Sequence, residues 1–220
     1  MFRRSFALIP HAHFRSVAVG VVTLVLLSGC QGGSTPPETS TTTATPASSA
    51  SEAGTRTPPL TSSGPYKPAD ATGKAQNVPV PVMPALAKEN TKEGLEAFIR
   101  YWYATYSYAT ETGDMAPWAK STDTTTESGI AYSRAIEANY ADGRWLLGGR
   151  ITIPTVEVLW QDGSGSQVAK VQVLQEEIRY FRSDGSSRPE ISEASNTAEA
   201  VKATFQNGFW QVIDNGLILG

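Results

Sequence analysis

Apolar side chains recur at intervals of three and four between residues 95 and 109: Leu95, Phe98, Ile99, Trp102, Tyr106 and Ala109. That spacing lays one stripe along a helix. Ahead of it, Asn90-Thr91-Lys92-Glu93 has the form of a capping box, with Asn90 accepting from the first-turn amides and Glu93 reaching back. Thr112-Gly113 predicts its end, and Asp114 can cap a short further turn that holds Trp118. A third helix fits residues 124–141, with Tyr132, Ala135, Ile136 and Tyr140 on its apolar side and Asp142-Gly143 after it.

Beyond Gly143 the period changes to two. Ile151 and Ile153, then Val156, Val158 and Trp160 across Pro154, read as one strand bent at the proline. Asp162-Gly163-Ser164-Gly165 turns the chain into a long strand over 167–182, and Ser183-Asp184-Gly185 turns it again toward residues 188–192. Val201, Ala203 and Phe205 alternate in a strand that Asn207-Gly208, the strongest short hairpin signal in the chain, returns as residues 209–214. Helices followed by an antiparallel meander predict an α+β domain with helices on one sheet face.

The first eighty residues carry a different pattern. Residues 17–27 form an apolar core of about eleven residues, too short a run to span a bilayer, with Arg3, Arg4 and Arg15 before it and Leu27-Ser28-Gly29-Cys30 at its end. This predicts a signal peptide over 1–29. Residues 31–80 are rich in Thr, Ser, Pro, Ala and Gly and offer almost no apolar area against chain entropy. They predict a disordered tether over 30–80, with an r.m.s. span of about 40 Å, ahead of a folded domain at 81–220.

Charge and cysteine content sharpen that division. Removing the three signal arginines takes the net charge from −3 to −6, an acidic balance that argues against nucleic acid as a partner. Cys30 is the one cysteine, so no intramolecular disulfide can form.

The words around these elements are similar to known families. Leu27-Ser28-Gly29-Cys30 resembles the lipobox of bacterial lipoproteins, which implies cleavage between Gly29 and Cys30, a covalent diacylglyceryl group on Cys30, and residence on the outer face of the cell membrane. The helix, short helix, helix and curved sheet resemble the NTF2-like (cystatin-like, SnoaL-like) cone. More narrowly, the stretch from Val80 to Thr122, Tyr140-Ala141-Asp142-Gly143 and Leu147-Gly148-Gly149-Arg150 resemble an uncharacterised actinobacterial lipoprotein family of domain-of-unknown-function type, DUF6318-like. Relatives there often carry two cysteines where this chain has Thr124 and Glu127, so no disulfide or metal role transfers.

Candidate chemistry is narrow. His11 and His13 fall in the signal, so the processed chain would lack histidine, which excludes Ser-His-Asp and Cys-His systems and histidine-type zinc sites. No metal and no cofactor beyond the covalent lipid is expected. Asp114, Asp123 and Glu157 remain, with Tyr103, Tyr106, Tyr132 and Tyr140, but no spacing pairs an acid with a tyrosine. Glu176 and Glu177, as strand neighbours, should point to opposite faces. Trp102, Tyr106, Tyr132 and Tyr140 are the candidate ligand pocket, while Tyr101 and Tyr108 lie on another stripe of the first helix. The reading is a membrane-anchored, non-catalytic binding or interaction module for a small amphipathic ligand or an envelope protein. Its rivals are an isomerase or dehydratase-type acid/base enzyme and a structural wall-associated protein.

Overall fold

The 21 residues Lys92–Thr112 form helix α1. The protein is described here by a computed structural model covering residues 64–219. Thr91, not Asn90, caps the helix: its backbone is extended and its hydroxyl accepts from Gly94 N at 3.0 Å. Asp114 Oδ1 accepts from Ala116 N at 2.9 Å and starts α2, the single turn Ala116–Ala119. Helix α3 runs over Glu127–Tyr140. It starts three residues later than the pattern predicts, because Asp123 folds residues 123–125 into a turn by accepting from Thr125 N at 2.9 Å, leaving Thr126 as the cap.

Eight strands follow: β1 Trp145–Gly148, β2 Ile151–Thr152, β3 Val156–Leu159, β4 Gln167–Gln175, β5 Ile178–Phe181, β6 Ser187–Ser192, β7 Ser195–Gln206 and β8 Phe209–Leu217. All pair antiparallel, in a three-stranded sheet β1-β5-β6 and a five-stranded sheet β2-β4-β7-β8 in which β3 also pairs with β4. Asn207 and Gly208 turn the β7–β8 hairpin at φ 53° and 84°.

This architecture corrects the expected cone. In place of helices laid on one curved sheet, the domain is mostly antiparallel sheet, divided in two, with few helices, of which only α1 is long. The NTF2-like (cystatin-like) description does not fit. The cause is local. Gly148 and Gly149 both take positive φ, 81° and 75°, which stops β1 and releases the chain into β2. Across from them the predicted strand 167–182 stops at Gln175 and restarts at Ile178, so β4 belongs to one sheet and β5 to the other. Gly149 N to Glu177 O (3.1 Å) and Glu176 N to Arg150 O (3.0 Å) hold the two breaks side by side.

Helix α1 fits into the notch so formed, where Ser107 Oγ accepts from Ile151 N at 2.9 Å. Its stripe, Leu95, Phe98, Ile99 and Trp102, is fully buried against Ala169, Val171 and Val173 of β4, Val201 and Ala203 of β7, and Trp210 and Val212 of β8. A second, small cluster sits on the three-stranded sheet. Trp145 stacks on Phe181 with centroids 5.5 Å apart, and Trp145 Nε1 donates to Asp70 O at 2.8 Å. Residues 67–76, within the Thr/Ser/Pro-rich stretch, thus form a small bridge (Lys67 opposite Gln76) tied to β1.

Among the described residues no helix is long and apolar enough to cross a membrane, and no group of three side chains could hold a metal ion.

Candidate functional site

The structure brings Trp102, Tyr106 and Tyr132 together and sets Tyr140 at the edge of the same region. Trp102 is edge-on to Tyr103 at 4.7 Å and donates its indole N–H to Thr122 Oγ1 at 2.8 Å. The Tyr106 ring stacks on Tyr132 with centroids 3.8 Å apart. Tyr132 donates to Tyr106 O at 2.8 Å beside Thr110 Oγ1 at 3.0 Å, and Tyr140 donates to Thr110 O at 2.8 Å. Burial pushes the Tyr106, Tyr132 and Tyr140 hydroxyls above the ordinary phenol value. Trp102, Tyr132 and Tyr140 thus have their polar atoms committed to α1 and its neighbours, an arrangement that locks helices together. Tyr101 packs partly on the same core, and Tyr108 donates to Asp114 at 3.3 Å. Gly29 and Cys30 lie outside the described residues.

The acids weighed from sequence serve local structure. Asp114 caps α2, and Asp123 holds its turn, where the hydrogen bonds from Thr125 keep its carboxyl below the usual range. Glu157 faces Lys170 at 3.8 Å on an exposed strand surface, a pair worth about 0.2–1 kcal/mol at most. Glu177 turns to Arg179 at 2.6 Å.

Glu199 is the acid that sequence reasoning missed. It lies on β7 opposite Val171, on the face that α1 covers, and Tyr103 donates to its Oε2 at 2.8 Å. Burial raises its carboxyl above the ordinary value, against the lowering effect of hydrogen bonds from Tyr103, Asn215 and Thr197. The signal was in the period: Glu199, Val201 and Ala203 alternate, and an acid in line with two inward residues points inward with them.

A cleft of about 170 Å³ opens where the two sheets part. Tyr66, Pro68, Ala69, Leu146, Leu147 and Gly148 give it a mostly apolar lining, to which Glu111, Arg150 and Glu176 bring charge. The Tyr66 hydroxyl donates to Glu111 Oε1 and accepts from Arg150 Nη2 at 2.9 Å, while the Arg150 guanidinium lies over the Tyr66 ring at 5.7 Å. Arg150 and Glu111 stand 3.6 Å apart. Glu111 is largely covered, at 18 % exposure, whereas Arg150 keeps 54 % of its side chain in solvent. Partial burial and the Glu111 carboxyl push the Tyr66 hydroxyl up. Four chain segments meet here: the stretch before residue 70, the end of α1, the Gly148-Gly149 break and the β4–β5 break.

These features define a two-sheet antiparallel domain with a small cleft at its sheet junction. The chain belongs to the family of unknown function DUF6318, whose model matches residues 64–216. A search of curated proteins finds no match. Among solved structures, the intermembrane space region of the chloroplast protein ARC6 is similar at a TM-score of 0.42 and 9 % identity, over 60 % of this chain and 99 % of that one.

Proposed function

We propose that the protein is a lipid-anchored, extracytoplasmic binding module of an actinobacterial envelope, with no catalytic role. The anchor is argued from Leu27-Ser28-Gly29-Cys30, with Cys30 carrying the diacylglyceryl group. The binding role is carried by one observation. The cleft at the sheet junction is mostly apolar with three charged side chains at it, and Arg150, although paired with Glu111 at 3.6 Å, keeps 54 % of its side chain in solvent. Its volume is below the roughly 300–1,000 Å³ of pockets that take drug-sized ligands, which favours a small occupant.

An acid/base enzyme is the second reading, favoured by Glu199 beside Tyr103. The same contact also fastens α1 to β7, and that structural role accounts for it.

Native against denaturing mass spectrometry, on protein taken from its own membranes, tests the binding role. A stoichiometric small mass lost on denaturation is expected. A bare polypeptide in both spectra contradicts it.

A further inference from the structure

The cleft holds Arg150, paired with Glu111 but half in solvent, and the exposed carboxylate of Glu176. Arg150 gives one hydrogen bond to the Tyr66 hydroxyl and stands 3.6 Å from Glu111. A guanidinium carries five donors in a planar fork, so donors matched to a carboxylate remain free. Glu176 donates its backbone N–H to Arg150 O at 3.0 Å, which makes the two residues cross-strand neighbours. Yet Arg150 is turned onto Tyr66, and the exposed Glu176 carboxylate has no ion pair among the described residues. Glu111 is already engaged by Tyr66.

Resting on the cleft reading above, we propose that the ligand is a small zwitterion of amino-acid size, its carboxylate on Arg150 and its ammonium on Glu176. Charge favours this over a simple ion. One arginine against Glu111 and Glu176 leaves the lining net negative, so a lone carboxylate is disfavoured, while a lone ammonium leaves the guanidinium edge unmatched. Size agrees: at about 170 Å³ the cleft is smaller than the roughly 300–1,000 Å³ of pockets for drug-sized ligands and has room for an amino acid.

Isothermal titration of the full-length protein in detergent with alanine, acetate and ethylammonium tests the proposal, alongside Arg150→Gln and Glu176→Gln. Both side chains reach solvent, and melting curves check that each variant stays folded. Saturable alanine binding is expected, weakened at least tenfold by either substitution, with acetate and ethylammonium each at least tenfold weaker than alanine. Alanine binding no tighter than acetate, indifferent to Glu176→Gln, or absent overturns the zwitterion. A native-spectrum ligand that leaves in Arg150→Gln but is not displaced by alanine overturns the zwitterion and keeps the cleft. One retained in both variants overturns the cleft reading itself.

Discussion

Replacing Gly148 by alanine attacks the point where one sheet becomes two. Its φ of 81° is left-handed, which costs an L-residue about 1–2 kcal/mol. A Cβ there would also sit 2.1 Å from Glu177 O. That oxygen is backbone and accepts from Gly149 N at 3.1 Å, so relief requires the strands to separate by roughly 1 Å. Separation strains that bond and the neighbouring one from Glu176 N to Arg150 O, at about 1 kcal/mol each. The total is about 3–4 kcal/mol, or roughly a 10 °C fall in Tm for a domain of this size. Gly163 provides the control: its φ is 73°, but a Cβ there meets nothing within 4 Å. Gly163→Ala should therefore cost only the left-handed term, roughly 3 °C. Parallel thermal melts by circular dichroism make the comparison. Equal shifts in the two variants would refute the view that close packing of the two breaks, and not glycine's flexibility alone, divides the sheet.

Glu199→Gln keeps an acceptor for Tyr103 and removes the ionisable carboxyl. Because burial raises the Glu199 carboxyl in the fold, the stability it contributes is full below the ordinary glutamate value of 4.5 and is lost as pH rises through the raised value. The variant should gain on the natural protein from about pH 4.5 upward in urea titrations, and a gap independent of pH would contradict this assignment. Trp145→Ala removes the stack on Phe181 and the donor to Asp70 O; about 3–5 kcal/mol should be lost, with amides of residues 67–76 exchanging faster than those of β7. Uniform acceleration would show instead that residues 67–76 are not held through Trp145. Cys30→Ala should move the protein from the membrane fraction to the soluble fraction in detergent partitioning, and unchanged partitioning would remove the lipid anchor.

What the sequence could show follows the range of the interactions involved. The α1 stripe and the Asn207-Gly208 hairpin depend on near neighbours, so periodicity and turn chemistry were enough to find them. The helix cap is displaced by one residue because Asn90 and Thr91 are both good capping residues, and only backbone geometry chooses between them. The divided sheet was hidden, since residues 167–182 are strand-compatible throughout and Glu176-Glu177 looks like any solvated pair. The break needs Gly148-Gly149 opposite it, and that pairing is long-range. Glu199 was legible in the period of β7 once the strand is extended back to Ser195. Tyr66, Glu111, Arg150 and Glu176 come from four segments with no shared spacing, so no local pattern announces the cleft.

Amide hydrogen exchange on the membrane-purified protein, before and after exhaustive dialysis, tests the central claim most directly. The cleft account predicts that dialysis lowers protection in peptides spanning residues 64–70, 146–151 and 175–178, with little change elsewhere. Lost protection centred on Tyr103, Tyr106 and Glu199, with the sheet junction unchanged, would place the ligand under α1 and contradict it.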